Sequence, residues 1–128
     1  MKFIVDGIDV SKLIKARNTF AEFKKDMVSD RDKSGAIQAF EYCYELAWKT
    51  MKRLLDKRGK VVNSPREVFR AAALEGMIEN PEAWFTFLKM RNITTHTYDE
   101  DVIDSIIVHF DSFEAELNAF IKKLGLGI

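Results

Sequence analysis

Cysteine, histidine and proline are scarce in this sequence, and each scarcity closes off a class of protein. The one cysteine, Cys43, excludes an internal disulfide framework of the kind that staples small exported domains. Two histidines and that cysteine make a four-ligand zinc site within one chain implausible, so neither a metal nor a cofactor is expected. Nowhere do about eighteen apolar residues follow one another, as a membrane-spanning helix needs. The opening MKFIVDGIDV has too short an apolar run before Asp6 to read as a signal peptide. A soluble, cytoplasmic chain with no membrane partner is the expectation. Excess charge of either sign is lacking too. Twenty basic residues face twenty acidic ones, so no global field draws the molecule to a polyanion, and any such binding has to be local.

What is present is apolar and aromatic. Hydrophobic residues make up 47% of 128 positions and ten are Phe, enough for one core and too few residues for two, so residues 1–128 read as a single domain. After an ambiguous opening, Leu13, Ala16, Phe20, Phe23 and Met27 recur at spacings of three and four, the mark of one helical face. A polar stretch over residues 29–34 separates them from Ile37, Phe40, Tyr44, Ala47, Met51 and Leu54, a longer helix that Gly59 ends. Ser64-Pro65-Arg66-Glu67 supplies a cap, a first-turn proline and a carboxylate where a capping box needs one, opening a short third helix that runs to about Gly76. Asn80-Pro81 repeats the signal for a fourth, through Trp84, Phe87, Leu88 and Met90.

A last helix begins at Asp99-Glu100-Asp101, where carboxylates meet unpaired backbone N–H groups. It holds Ile103, Ile106, Phe110, Phe113, Leu117, Phe120 and Leu124 in register until Gly125. No segment alternates as a strand. The expected fold is all-α: an antiparallel up-and-down four-helix bundle with one additional short helix, its uniform seams leaving room for a homodimer interface.

The fourth helix carries the irregularity that points to function. If it continues past Met90, its core-facing positions run Trp84, Leu88, Arg91, Thr95, Tyr98, so an apolar seam turns polar halfway along. At about 100° per residue, Asn92 and His96 fall beside that stripe, and Arg91 and Tyr98 lie within about 20° of each other. Arg, Asn, His and Tyr then share one wall. A buried Arg needs a carboxylate, and Glu41 and Glu45 flank the seam of the second helix. Fraying of the helix end, with His96 a solvated cap residue, accounts for the same pattern equally well. As chemistry, a fixed cation and an imidazole without an activated Ser or Cys nucleophile suit a phosphodiester better than an acyl group.

The segment RNITTHTY (residues 91–98) resembles the R-x4-H-x-Y form of the HEPN superfamily motif. With FEYCYELAWKTMKRLL (40–55) and SPREVFRAAALEGMI (64–78), it resembles the nucleotidyltransferase substrate-binding protein family within HEPN. The resemblance implies a helical-bundle homodimer encoded beside a separate minimal nucleotidyltransferase. One reading it carries is a metal-independent ribonuclease toxin, with His96 moving protons, Arg91 stabilising phosphate, Asn92 positioning substrate, and the motif Tyr98 adenylylated by the partner. The other is a non-catalytic subunit that binds a nucleotide or other substrate. Glu45, Trp48 and Thr95 join Asn92 as candidate substrate-binding residues.

Other features have plainer alternatives. Lys49, Lys52, Arg53, Lys57, Arg58 and Lys60, extended by Arg66 and Arg70, form a basic patch able to guide RNA or face a nucleotidyltransferase, yet basic residues also gather naturally where a helix dipole ends. Trp48 and Trp84 lie on or beside core seams, where packing competes with stacking a base. Cys43 has no His or second Cys near it in sequence and reads as a small packing residue.

Overall fold

The computed structural model describes residues 2–126. A hairpin, β1 (Ile4–Val5) and β2 (Ile8–Asp9), precedes helices α1 (Ser11–Lys25), α2 (Asp30–Lys57), α3 (Pro65–Leu74) and α4 (Pro81–Ile93). One turn of 3₁₀ helix (Thr94–His96) follows, then α5 (Glu100–Ile107) and α6 (Phe110–Lys123). α1 packs on α2 and α6, and α4 packs on α6, α3 and α2, closing a helical bundle with α5 laid against α2. Among the described residues no helix is long and apolar enough to cross a membrane.

The capping chemistry sets the helix starts. Ser29 Oγ accepts from the Asp32 N–H at 3.1 Å while the Asp32 carboxylate accepts from the Ser29 N–H at 3.0 Å, a complete capping box. The Ser29 N–H and hydroxyl, together with the Val28 N–H, hold the Asp32 carboxyl below the usual carboxylate range. Ser64 and Asn80 cap α3 and α4 as expected, each followed by its proline. Glu67 departs from the expected box by one residue, accepting from the Asn63 N–H rather than from that of the cap itself.

Three expectations need correction. The chain does contain a strand pair: Ile4 faces Asp9 and Val5 faces Ile8, joined by Asp6 and Gly7, both at positive φ as a type I′ turn requires. The apolar face of α1 stops at Phe20. Phe23 is partly exposed, lying over Gly35, and Met27 falls beyond the helix. The final helix is two helices, because the His109 N–H bonds to the Ile106 carbonyl three residues back and tightens the chain at Val108 and His109. Both residues keep near-helical dihedrals, so the seam crosses the break, with Ile106, Phe110, Phe113, Leu117 and Phe120 all buried.

Phe113 is the hub of the core. Its ring stands edge-on to Phe40 at 4.8 Å, Phe87 at 5.2 Å and Phe20 at 5.3 Å between centroids, with Trp84 at 6.1 Å. Such edge-to-face pairs set the positive ring edge against the negative face and contribute about 0.5–1.5 kcal/mol each beyond area burial. The core thereby fixes α1, α2, α4 and α6 around one point, and α4 in turn carries the polar motif out to the surface.

Candidate functional site

α4 ends where the motif begins to turn polar, and the reason is local. Ile93, Thr94 and Thr95 form a β-branched run, which a helix accommodates poorly. The Thr94 hydroxyl donates to the Arg91 carbonyl at 2.7 Å, and the Thr94 N–H reaches the same carbonyl. That pairing tightens the last turn to 3₁₀ geometry. The Asp99 N–H then bonds to the His96 carbonyl and closes the turn before Asp99 caps α5. The single continuous helical wall expected through Thr95 and Tyr98 is therefore not formed. Arg91 stays on α4, half-buried, while Asn92, Thr95, His96 and Tyr98 are exposed.

Two side-chain groupings result. In the first, Arg91 Nε donates to Glu45 Oε1 at 3.2 Å. The other oxygen, Glu45 Oε2, accepts from the Trp48 indole N–H at 3.1 Å and lies 3.8 Å from Lys49 Nζ. Of the two carboxylates flanking the α2 seam, Glu45 is the one that orients Arg91. Trp48 spends its polar handle on that carboxylate, its ring half-buried against the core. Gln38, Glu41, Tyr42, Glu45 and Arg91 line an open recess of about 250 Å³. Gln38 and Tyr42 were not anticipated, although positions 38, 41, 42 and 45 follow the same three-and-four spacing as a polar face of α2 beside the apolar one.

In the second grouping, Tyr98 Oη lies 3.4 Å from His96 Nδ1 with the two rings edge-on, 5.9 Å apart. Tyr98 is 85% exposed, an unusual setting for a large aromatic side chain and one that leaves its hydroxyl open to reagents. Thr95 lines neither the recess nor this pair. Below the site Tyr44 is buried, its ionisation pushed well above the ordinary tyrosine value by burial and by Glu45, with Arg91 opposing. Its hydroxyl and the Trp84 indole nitrogen have no hydrogen-bond partner among the described residues. Cys43 is fully buried and its thiol pushed up to about 12 by burial, so it packs and does not react. No three His, Cys, Asp or Glu side chains among the described residues are grouped to hold a metal ion.

The model of the family "nucleotidyltransferase substrate binding protein like" matches residues 9–125. The chain belongs to that family. It is 33% identical over 118 residues to "Probable ribonuclease HepT" of Haemophilus influenzae, spanning 87% of this chain and 79% of that protein. A solved Thermus thermophilus protein superimposes with a TM-score of 0.81 at 28% identity, covering 88% of this chain and 98% of that one. A Haemophilus influenzae structure presented as the fold of a substrate binding domain of a nucleotidyltransferase gives the same score and identity over 90% and 98%. The fold is shared more distantly, at a TM-score of 0.65 and 14% identity over 88% and 93%, with a tri-AMPylated Shewanella oneidensis HEPN toxin in complex with MNT antitoxin.

Proposed function

We propose that this HepT-like chain is the ribonuclease of a toxin-antitoxin pair, cleaving RNA without a metal at Arg91 and His96. In this reading a separately encoded minimal nucleotidyltransferase silences it by transferring AMP to Tyr98. The observation that carries the reading is the exposed Tyr98 hydroxyl standing 3.4 Å from His96 Nδ1, which makes one surface group the gatekeeper of the other.

In cleavage, an RNA 2′-hydroxyl attacks the neighbouring phosphorus and the 5′-oxygen leaves. His96 moves a proton off the first or onto the second, and Arg91, steadied by Glu45, holds the charge that accumulates on the phosphorane oxygens. Asn92, exposed on the last turn of α4, positions substrate beside them. In silencing, Tyr98 Oη attacks the α-phosphorus of ATP, pyrophosphate departs and the phenolic proton is lost. The product sets a bulky anion against His96, excluding RNA by volume and by charge. The reading includes a homodimer in which two motif turns share one cleft, and it is supported by the ribonuclease name of the Haemophilus relative and by the antitoxin and AMP found on the Shewanella toxin of like fold.

The test is expression of the chain alone and as His96→Ala, with RNA integrity and growth as readouts. Cleavage and toxicity from the first and neither from the second are expected, and two equally harmless chains would overturn the assignment. For the switch, mass spectrometry after incubation with the partner and ATP should add AMP to the native chain and not to Tyr98→Phe. A second reading, a non-catalytic subunit presenting a nucleotide to its partner, is favoured by the recess that Arg91 and Glu45 share with Gln38 and Tyr42. Nucleotide binding without RNA cleavage would select it.

A further inference from the structure

Of the six basic residues from Lys49 to Lys60, three are paired: Lys49 with Glu45, Lys52 with Asp56 at 3.4 Å and Arg58 with Glu75 at 3.6 Å. Arg53, Lys57 and Lys60 have no carboxylate within ion-pair distance among the described residues, and none of them sits over an aromatic ring there. On α3, Arg66 and Arg70 have no carboxylate within ion-pair distance among the described residues, and both are exposed. Both instead lay their guanidinium groups over one aromatic ring, Phe85 of α4, at 5.3 and 5.4 Å from its centroid. Phe85 is itself seated on buried Phe69, 6.2 Å away. Two like charges converging on one ring repel each other, and an anion bridging them relieves the repulsion while the ring holds both forks in place.

This platform lies on the path to the motif. Phe85, Lys89 and Asn92 stand at i, i+4 and i+7 on α4, within an arc of about 60° and a rise of about 10 Å. Lys89 and Asn92 are exposed, and Lys89 has no carboxylate partner among the described residues. Glu82, one turn earlier on the same helix, bounds the strip at its far end, and the Glu67 carboxylate is occupied at the start of α3. The strip therefore runs from Arg66 and Arg70 across Phe85 and Lys89 to Asn92, the residue that follows Arg91 and stands about 100° from it around α4. Guanidinium planes on an aromatic support, followed by a lysine and an amide, suit successive phosphates and bases of a flexible single strand.

We propose that Arg66, Arg70, Phe85 and Lys89 form a guide for single-stranded RNA that delivers the chain to the Arg91–His96 turn. It rests on the ribonuclease reading for its purpose, but binding and cleavage are separable. Fluorescence anisotropy with a labelled single-stranded RNA, on the His96→Ala background so that nothing is cut, measures the guide alone. Arg66→Gln with Arg70→Gln should weaken binding at least tenfold, and losing two phosphate contacts should lower the slope of log affinity against log salt by about 1.4. Arg66→Lys with Arg70→Lys should keep the salt slope, and Phe85→Leu should weaken binding by a smaller factor with the slope retained. Lys57→Gln with Lys60→Gln serves as the control and should leave binding within about twofold.

If the glutamine pair binds RNA as tightly as its parent, or the parent binds none, the guide is overturned. Loss of nucleotidyltransferase association with RNA affinity intact overturns it in favour of a protein-docking surface. RNA binding that depends on Arg66 and Arg70 in a chain that never cleaves RNA sustains the guide while sinking the ribonuclease reading.

Discussion

The ring cluster around Phe113 and the turn from Arg91 to Tyr98 lie at opposite extremes of one bundle. Around Phe113, four aromatic partners from three other helices fix one side chain, and all five rings are out of water. In the turn, one carboxylate orients Arg91, one threonine hydroxyl ends the helix, and His96 and Tyr98 touch chiefly each other. The first region holds the helices and contributes no chemistry. The second carries the proposed chemistry and few of the contacts that hold the fold, so the two properties should respond to different substitutions.

The largest separation is expected from Phe113→Ala. Removing a fully buried ring from the hub should cost about 3–5 kcal/mol of unfolding free energy in a urea titration. A loss below about 1 kcal/mol would mean that the core collapses freely around the gap and is no rigid frame for the turn. At the other extreme, His96→Ala should leave the unfolding free energy within about 0.5 kcal/mol of native while lowering RNA cleavage by about 10²–10⁴. Glu45→Gln probes the connection between the regions. With Arg91 and Glu45 both partly exposed, the pair should contribute under about 1 kcal/mol to folding. Cleavage should nevertheless fall by about tenfold, through the charge that steadies Arg91. A stability loss as large as the catalytic one would erase the distinction.

Helix starts were legible in the sequence because capping is a short-range chemistry: Ser64-Pro65 and Asn80-Pro81 each state a start within a few residues. The seam of the last segment was legible too, since Ile106 through Phe120 stay in register even where the backbone breaks. The break itself at Val108 and His109 carries no proline or glycine to mark it. The Asp6-Gly7 hairpin did carry its signal, a turn-forming pair between alternating residues, but strands of two residues are too short for periodicity to weigh. At the site, Arg91 and its need for a carboxylate could be inferred from burial arguments, whereas choosing Glu45 over Glu41 required the crossing of α2 and α4. Placing Thr95 and Tyr98 on the helical wall failed because a side-chain hydroxyl, that of Thr94, redirected the backbone, and helical periodicity has no representation of that competition.

The smallest expected effect falls on Tyr44, where the two regions meet. Its ring packs beside Phe40 in the core, while its hydroxyl is buried without a partner among the described residues and feels the charges of Glu45 and Arg91. An unpaired buried hydroxyl has surrendered its hydration for nothing, so Tyr44→Phe should range from neutral to about 1 kcal/mol more stable at neutral pH. The pH dependence has a definite sign. Folding raises the ionisation of Tyr44 above its ordinary value, so above about pH 10 the unfolded chain releases a proton that the folded chain keeps, and native stability declines as pH rises. Tyr44→Phe should flatten that alkaline decline, as read from urea unfolding at neutral pH and again above about pH 10. A variant less stable than native by more than about 1 kcal/mol at neutral pH would show that the hydroxyl is engaged. The Glu45–Arg91 pair would then be joined to the core through Tyr44, and the turn proposed to cleave RNA would no longer be independent of the frame beneath it.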